Sequence, residues 1–203
     1  MRKFGVLVQK GDIATTPEQA EKVARDLNVK DGILILKAQV QAGGRGKGTL
    51  SSGLKGGVQI LKTPQEVAEK TAKMIGYNLK THQTTGDGLR VNAVLIHEGV
   101  DIDRQIYLAF ILDRNSQRPA IVASIEGGVE IEEVAKNNPD AVKLYPLEVD
   151  TGVTDEVLNK LEKDLQLSDV KGFRDQVRNL HKLFVDCDCV QLEINPWAVN
   201  PQK

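Results

Sequence analysis

The sequence predicts an α+β fold, because two separate helix signals, several short apolar strands and a hairpin signal follow one another along the chain. A doubly wound parallel sheet would instead alternate strands and helices regularly. The chain has 203 residues, which is enough to bury a core and to form either one large domain or two small lobes around a cleft.

The same start signal marks two helices. Residues 16–19 and 63–66 each combine a threonine N-cap, a proline at the first helical position and a capping-box Gln or Glu. Apolar residues then recur at helical spacing, and Gly76 offers a C-terminal stop for the second helix. Two more helices are predicted, one capped by Thr154 and one over residues 173–184, because their apolar residues share one face.

Short apolar runs predict the strands, at residues 33–36, 56–61, 91–97, 106–112 and 120–125. The turn-rich residues 113–119 join the last two runs, which predicts an antiparallel hairpin. A final strand is predicted over residues 190–194, stopped by Asn195 and Pro196.

Composition narrows the class of protein. The chain carries 27 Lys and Arg against 28 Asp and Glu, a net charge of -1, so bulk charge does not favour a nucleic-acid partner. We expect no membrane span, because no apolar run approaches the necessary length. Cys187 and Cys189 fit neither a disulfide framework nor a complete zinc site, which favours a reducing compartment. A small-molecule partner is therefore expected.

The strongest local feature is a strand that runs into a loop with four glycines and two cations, over residues 37–48. Glycines let backbone N–H groups approach an anion, and Arg45, Lys47 and Lys37 add positive charge. The loop could therefore fold over phosphates. It matches neither the Walker spacing nor the dinucleotide fingerprint, so a solvated basic hairpin tip explains the local pattern equally well.

Two strand ends are further candidates. Glu98 ends a strand where the chain could line a cleft and receive a base or ribose, although acids at strand ends are ordinarily just solvated. A glycine pair, Gly127 and Gly128, follows the strand at residues 120–125. The pair could form a turn that precedes a helix with acidic residues in its first turn, and this explains the two glycines as well as a functional role does.

The final strand has an oxygen-bearing face. Strand alternation places Gln191, Glu193 and Asn195 on one side and the apolar residues on the other. A carboxylate and an amide oxygen two residues apart suit a hard cation such as Mg²⁺, which usually shares its ligands with phosphates. A solvated strand edge is the competing explanation.

Taken together, these segments closely resemble the β subunit of succinyl-CoA synthetase, in order and over nearly the whole chain; the matching segments are residues 37–48, 52–58, 126–129 and 193–196. The resemblance implies an ATP-grasp fold of two lobes with the nucleotide site between them. It also implies phosphoryl transfer between a nucleoside diphosphate and a phosphohistidine of an α subunit partner, coupled to succinyl-CoA and succinate. The implied cofactor is Mg²⁺, with GDP and GTP, or ADP and ATP, as substrate.

The resemblance also divides the chain. It implies a smaller lobe at about residues 10–98, with residues 1–9 and 99–203 in the larger lobe. The whole chain, residues 1–203, would be one truncated ATP-grasp module without the family's C-terminal CoA-ligase domain. We expect such a fragment to be inactive alone.

Individual residues carry over by position. Lys37 and the Gly44, Arg45 and Gly46 loop match the residues that contact phosphates, and Glu98 and Val100 match the hinge that receives base and ribose. The resemblance also implies that Asn195 is a magnesium ligand. It implies that Glu193 lies near the phosphorylated histidine of the α subunit, where a carboxylate can orient the imidazole.

One residue bears on the choice of nucleotide. Gln9 falls where GTP-type members have a glutamine and ATP-type members often have a proline, so the resemblance favours guanine. The segment at residues 51–55 is more typical of mitochondrial members, which implies a mitochondrial matrix location, or a cytoplasmic one if the source is bacterial. The alternatives are a non-catalytic nucleotide-binding or assembly domain, and the ATP-grasp module of a malate or citrate ligase.

Overall fold

A computed structural model of the chain describes residues 1–29, 32–128 and 130–201. The chain forms two compact units. The first, which we call the glycine-loop unit, is Gln9–Val100, and the second, the hairpin unit, combines Met1–Val8 with the chain from Asp101 onward. No helix within the described ranges is both long and apolar enough to cross a membrane.

In its described residues the glycine-loop unit contains two α-helices and two antiparallel sheets. In chain order its elements are β1 (Gly11–Ala14), α1 (Pro17–Leu27), β2 (Leu34–Ala38), β3 (Thr49–Leu50), β4 (Val58–Leu61), α2 (Pro64–Ala72), β5 (Asn78–Lys80), β6 (Leu89–Arg90) and β7 (Val94–Glu98). The four-stranded sheet has the order β1-β7-β2-β4, and the smaller one β3-β5-β6. One face of the larger sheet contributes Leu34, Leu36, Val94 and Ile96 to the core.

Both predicted helix starts are confirmed. The Thr16 hydroxyl accepts a hydrogen bond from the backbone N–H of Gln19 at 3.2 Å. Thr63 forms a complete capping box: its hydroxyl accepts from the Glu66 N–H at 3.2 Å, and the Glu66 carboxylate accepts from the Thr63 N–H at 3.3 Å. These contacts pair N–H groups that the first helical turn leaves unsatisfied.

The hairpin unit is built on one four-stranded antiparallel sheet of order β10-β9-β8-β11. Its elements are β8 (Arg104–Asp113), β9 (Arg118–Ser124), α3 (Ile131–Asn137), β10 (Lys143–Pro146), α4 (Asp155–Asp164), α5 (Phe173–Asp186) and β11 (Gln191–Val199). The predicted hairpin is confirmed, since β8 and β9 pair from Tyr107 with Ser124 to Asp113 with Arg118. The helices predicted from Thr154 and over residues 173–184 are confirmed as α4 and α5.

The core of this unit lies on one side of its sheet. Ile106, Leu108 and Phe110 alternate into that core, where residues of α4 and α5 meet them. The intervening positions of β8, Gln105, Tyr107 and Ala109, therefore belong to the opposite face. The fold as a whole is α+β, as predicted, with antiparallel sheets in both units.

The strands β1, β3, β5, β6 and β10 were not predicted, and two boundaries of the predicted strands differ most from the structure. The final strand does not stop at Asn195 and Pro196 but continues to Val199, because a register shift between Ile194 and Trp197 lets pairing with β8 resume beyond the proline. The strand predicted from residue 91 begins at Val94. The backbone of Val91 instead exchanges hydrogen bonds with Gly76 and Tyr77, at 2.9 Å each, so it cannot join the strand ladder.

Candidate functional site

The glycine-rich loop brings two cations together. Lys37 lies on β2 opposite Val58 and Leu95, on the face turned away from the core. Burial lowers the pKa of Lys37, and the neighbouring charge of Arg45 lowers it further. The Arg45 guanidinium donates to the backbone carbonyl of Ala38 at 3.0 Å. An anion bound beside this pair would relieve the repulsion between the two charges.

Backbone hydrogen bonds hold the loop. Gly44 adopts a left-handed conformation with φ of 68° and begins a short 3-10 turn, Arg45–Lys47. The carbonyl of Arg45 accepts from the N–H of Gly57 at 2.7 Å and from that of Gly48 at 3.2 Å. Nothing lies within 4 Å of the side-chain position at Gly46. These contacts favour a loop of defined shape over a free hairpin tip.

The predicted hinge residues lie at the end of β7. The Glu98 carboxylate accepts from the backbone N–H of Lys10 at 2.8 Å, and the Glu98 N–H donates to the Lys10 carbonyl at 3.0 Å. Gln9, which precedes Lys10, is thereby placed beside Glu98. Val100 is 42% exposed. The structure thus groups Gln9, Glu98 and Val100 at one end of this unit.

His97 links the strand end to the cations. The ring is buried, and its Nδ1 lies 2.7 Å from the carbonyl oxygen of Glu98. Burial lowers the pKa of His97, and the charge of Lys37 adds to that shift, while the hydrogen bond with Glu98 opposes it. The face of the sheet that carries Lys37 is therefore a poor place for additional positive charge.

Glu193 and Asn195 belong to the hairpin unit. Glu193 pairs with Ala109 across the ladder, so both lie on the face opposite the core together with Tyr107. Burial raises the pKa of Tyr107 to about 12, with contributions from the carboxylates of Glu193 and Glu132. The phenol therefore stays neutral and can act as a hydrogen-bond donor beside Glu193.

The glycine pair after β9 contacts the end of this face. The N–H of Gly128 donates to Oδ1 of Asn195 at 2.8 Å, and the N–H of Gly127 donates to the carbonyl of Gln105 at 3.1 Å. A side chain on Gly127 would collide with the backbone of Ile106, and one on Gly128 with the carboxamide of Gln105. The pair therefore serves close packing, and it is not merely a turn before α3.

The donor atoms on this face suit a magnesium ion. Mg²⁺ takes oxygen ligands and is usually held by one or two protein groups plus phosphates and water. Asn195 and Glu193 offer an amide oxygen and a carboxylate two residues apart. An amide oxygen has two lone pairs, so it can accept from Gly128 and also contact a cation. Within the described ranges no three His, Cys, Asp or Glu side chains form a metal cluster. Phosphates and water are the ligands that usually complete the coordination of Mg²⁺.

Sequence reasoning missed two residues near these groups. Tyr107 is buried on the polar face, and the alternation of β8 could have indicated it as a polar residue within an apolar strand. Gln83 accepts a hydrogen bond from the N–H of Gly43 at 2.6 Å. No local pattern connects residues 40 positions apart, so only the structure shows that contact.

Comparisons with known proteins bear on the family and fold of this chain. The sequence profile of the ATP-grasp domain family matches residues 1–199. The chain is 42% identical over 204 residues to the mitochondrial GDP-forming succinate–CoA ligase subunit beta of Mus musculus, covering 100% of this chain and 47% of that protein. It is 44% identical over 202 residues to the hydrogenosomal ADP-forming succinate–CoA ligase subunit beta of Neocallimastix frontalis, covering 98% of this chain and 46% of that one.

A solved structure shares the fold. The dinucleotide-forming acetyl-coenzyme A synthetase 1 of Ca. Korarchaeum cryptofilum superposes with a TM-score of 0.66 at 15% identity, covering 98% of this chain and 83% of that chain. The chain spans about half the length of the curated relatives named above. The match to the family profile extends over nearly all of its residues, and the chain therefore belongs to the ATP-grasp domain family.

Proposed function

We propose that this chain is the nucleotide-binding part of a succinate–CoA ligase β subunit. The enzyme would transfer a phosphoryl group between a nucleoside diphosphate and a phosphohistidine of an α subunit, coupled to the interconversion of succinyl-CoA and succinate. The observation that carries the proposal is the pair of cations, Lys37 and Arg45, at a loop of defined shape. The similarity to β subunits over the whole chain supports the choice of reaction.

The glycine-loop unit would bind the phosphates. Lys37 and Arg45 supply charge, while Gly44 and Gly46 let the loop backbone come close to the ligand. Two partly desolvated cations side by side repel each other, and a polyanion removes that repulsion. Phosphate binding is therefore the function that this arrangement favours most.

The hairpin unit would supply the metal ligand and the group that orients the histidine. Asn195 would hold Mg²⁺, which neutralises phosphate charge when bound. Glu193 would accept a hydrogen bond from the imidazole of the incoming α-subunit histidine and stabilise its charged form. The neutral phenol of Tyr107 lies on the same face and can donate to that carboxylate. Positioning and charge stabilisation, without a nucleophile from this chain, would then drive the transfer.

Gln9, Glu98 and Val100 would receive the base and ribose. The contact of Glu98 with the Lys10 backbone supports this, because it fixes the segment that presents Gln9. We propose a preference for GDP over ADP, with the Gln9 carboxamide reading the guanine edge. Relatives with both GDP-forming and ADP-forming names are similar to this chain, so the preference depends on Gln9.

We propose the mitochondrial matrix as the location, since the names of GDP-forming and ADP-forming relatives place them in mitochondria or hydrogenosomes. The partner would be the α subunit. Neither a nucleic acid nor a membrane is expected as a partner, given the balanced charge of the chain.

The test uses the assembled enzyme, this chain in its complete β subunit with the α subunit. Formation of CoA thioester is measured with succinate, malate and citrate as acids, and with GTP and ATP. We expect succinate to be used, and Arg45→Ala to weaken GDP and ADP binding by at least tenfold. Lys62→Ala removes one exposed positive charge from the same unit and should leave both affinities near the parent values. Equal losses of nucleotide affinity in the two variants would show that Arg45 does not bind the phosphates. Thioester formation with malate or citrate but not with succinate would show that the proposed acid substrate is wrong.

A further inference from the structure

The glycine-rich loop touches a second segment of its unit. That segment is the connection between β5 and β6, residues 81–88. Oε1 of Gln83 accepts a hydrogen bond from the backbone N–H of Gly43 at 2.6 Å, across 40 residues of sequence. Gly43 immediately precedes Gly44, which begins the turn that carries Arg45.

The contact depends on the absence of a side chain at residue 43. An ideal Cβ on Gly43 would lie 2.7 Å from both Oε1 and Nε2 of Gln83. A side chain at residue 43 would therefore displace the flexible carboxamide of Gln83 and break its hydrogen bond with the loop.

The connection holds Gln83 in place. The Gln83 N–H donates to Oγ1 of Thr81 at 3.1 Å, and Thr81 is buried. The Thr84 hydroxyl donates to the Thr81 carbonyl at 3.0 Å and accepts from the Thr81 N–H at 2.9 Å. These hydrogen bonds make a short threonine-rich turn whose geometry sets the position of the Gln83 backbone.

The loop is consequently held at two points. Gln83 binds the N–H of Gly43, and the N–H of Gly57 donates to the Arg45 carbonyl at 2.7 Å. Between these two contacts lie Gly44 and the start of the turn, where phosphate would meet the backbone. A loop that is already shaped for its ligand loses less conformational freedom on binding.

We propose that Gln83 is a positioning residue for the phosphate-binding loop. By holding Gly43, it would keep the loop in the shape that presents Gly44 and Arg45 to the phosphates of a nucleoside di- or triphosphate. The proposal deepens the proposed function and rests on it. Gln83 is exposed, so its hydrogen bond adds little to folding stability and acts mainly on the shape of the loop.

The test replaces the carboxamide in the assembled enzyme. Gln83→Met keeps the length of the side chain but removes the acceptor. We expect amide hydrogen exchange of residues 43–48 in the ligand-free enzyme to accelerate about five- to tenfold, the effect of losing one hydrogen bond. The dissociation constants for GDP and ADP should rise by the same factor. KM for the nucleotide should rise with them while kcat stays near the parent value.

Two further variants separate positioning from other effects. Gln83→Glu keeps an acceptor oxygen, so exchange of residues 43–48 should stay near the parent rate even though its negative charge weakens nucleotide binding. Thr85→Ala changes an exposed side chain in the same connection and should alter neither exchange nor binding.

The outcomes distinguish the two proposals. Unchanged exchange and unchanged nucleotide affinity in Gln83→Met, with a parent enzyme that binds GDP, would overturn the role of Gln83 alone. A parent enzyme that binds no nucleotide would overturn the proposed function and the role of Gln83 with it. Faster exchange in Gln83→Met, retained protection in Gln83→Glu and equal losses of GDP and ADP affinity in Gln83→Met would support both.

Discussion

The backbone N–H of Gly128 donates to Oδ1 of Asn195 at 2.8 Å and so joins the turn after β9 to the middle of β11. The left-handed conformation of Gly128, with a φ of 76°, favours glycine, and a side chain there would displace the exposed carboxamide of Gln105. The proposed metal ligand is therefore oriented by a backbone group whose position depends on residue 128.

Gly128→Ala should destabilise the protein and disturb the side chain of Asn195. We expect a loss of about 1 kcal/mol of unfolding free energy from the strained φ, measured by urea denaturation, because the exposed Gln105 side chain can move aside. Gly172→Ala is the control, since Gly172 has a φ of 77° but nothing within 4 Å of its side-chain position. It should cost about as much as Gly128→Ala. A much larger cost at residue 128 would show that Gln105 cannot move aside.

Thr63→Ala should weaken the start of α2. The substitution removes the acceptor of the Glu66 N–H, and a lost N-cap costs about 1 kcal/mol. Thr63→Ser keeps the hydroxyl and should retain most of the unfolding free energy. If both variants were equally unstable, the methyl group of Thr63, and not its hydrogen bond, would be the stabilising feature.

Tyr145→Phe tests a hydrogen bond between β10 and α4. The Tyr145 hydroxyl donates to Asp164 at 2.7 Å, and this bond is the main cause that lowers the pKa of the Asp164 carboxyl. We expect the variant to lose about 1 to 2 kcal/mol of unfolding free energy at pH 7.

The loss in Tyr145→Phe should depend on pH in a defined direction. Because the folded pKa of Asp164 is lowered, its contribution is present above the unfolded pKa and disappears as pH falls through the folded pKa. The difference between parent and variant should therefore stay constant from pH 7 to about pH 4.5 and shrink below about pH 4, near the ordinary value for Asp. A difference that stays constant down to pH 2 would contradict the assignment to Asp164.

Gln9→Pro tests the choice of nucleotide in the assembled enzyme. The parent should prefer GDP to ADP, and the variant should lose much of that preference without losing phosphorylation, because Arg45 and Lys37 act on phosphates common to both. One neutral hydrogen bond is worth about 1 kcal/mol, so the ratio of kcat/KM for the two diphosphates should fall several-fold. An unchanged ratio would exclude Gln9 as the residue that reads the base.

Local signals predicted the helices α1, α2, α4 and α5 and the strands β2, β4, β7, β8, β9 and β11, but not the short strands β1, β3, β5, β6 and β10. Threonine caps followed by proline predicted α1 and α2, and the turn-rich residues 113–119 predicted the β8–β9 hairpin, because such signals act within a few residues. The start of β7 and the end of β11 were missed. Both depend on distant partners: Val91 bonds to Gly76 and Tyr77, and β11 passes Pro196 through a register shift set by β8.

The candidate site was less accessible to sequence reasoning. Composition indicated a phosphate-binding loop at Arg45 but left a free hairpin tip as an equal alternative. The contacts that favour a defined loop come from Gln83 and Gly57, and neither is close enough in sequence to be paired with the loop by pattern alone. These tertiary contacts favour a loop of defined shape over a free hairpin tip, and phosphate binding at that loop stays a proposal.

The register shift in β11 places one surplus residue between two halves of the strand. Before the shift the even-numbered Leu192 and Ile194 pack on the core, and after it the odd-numbered Trp197 and Val199 do. Deleting residue 195 or 196 would remove the surplus residue, so Trp197 would follow Ile194 by two positions and would still face the core in regular alternation. The packing of Trp197 and Val199 therefore does not need the extra residue. The shift instead sets the local shape of the strand at Asn195, whose Oδ1 accepts from the N–H of Gly128.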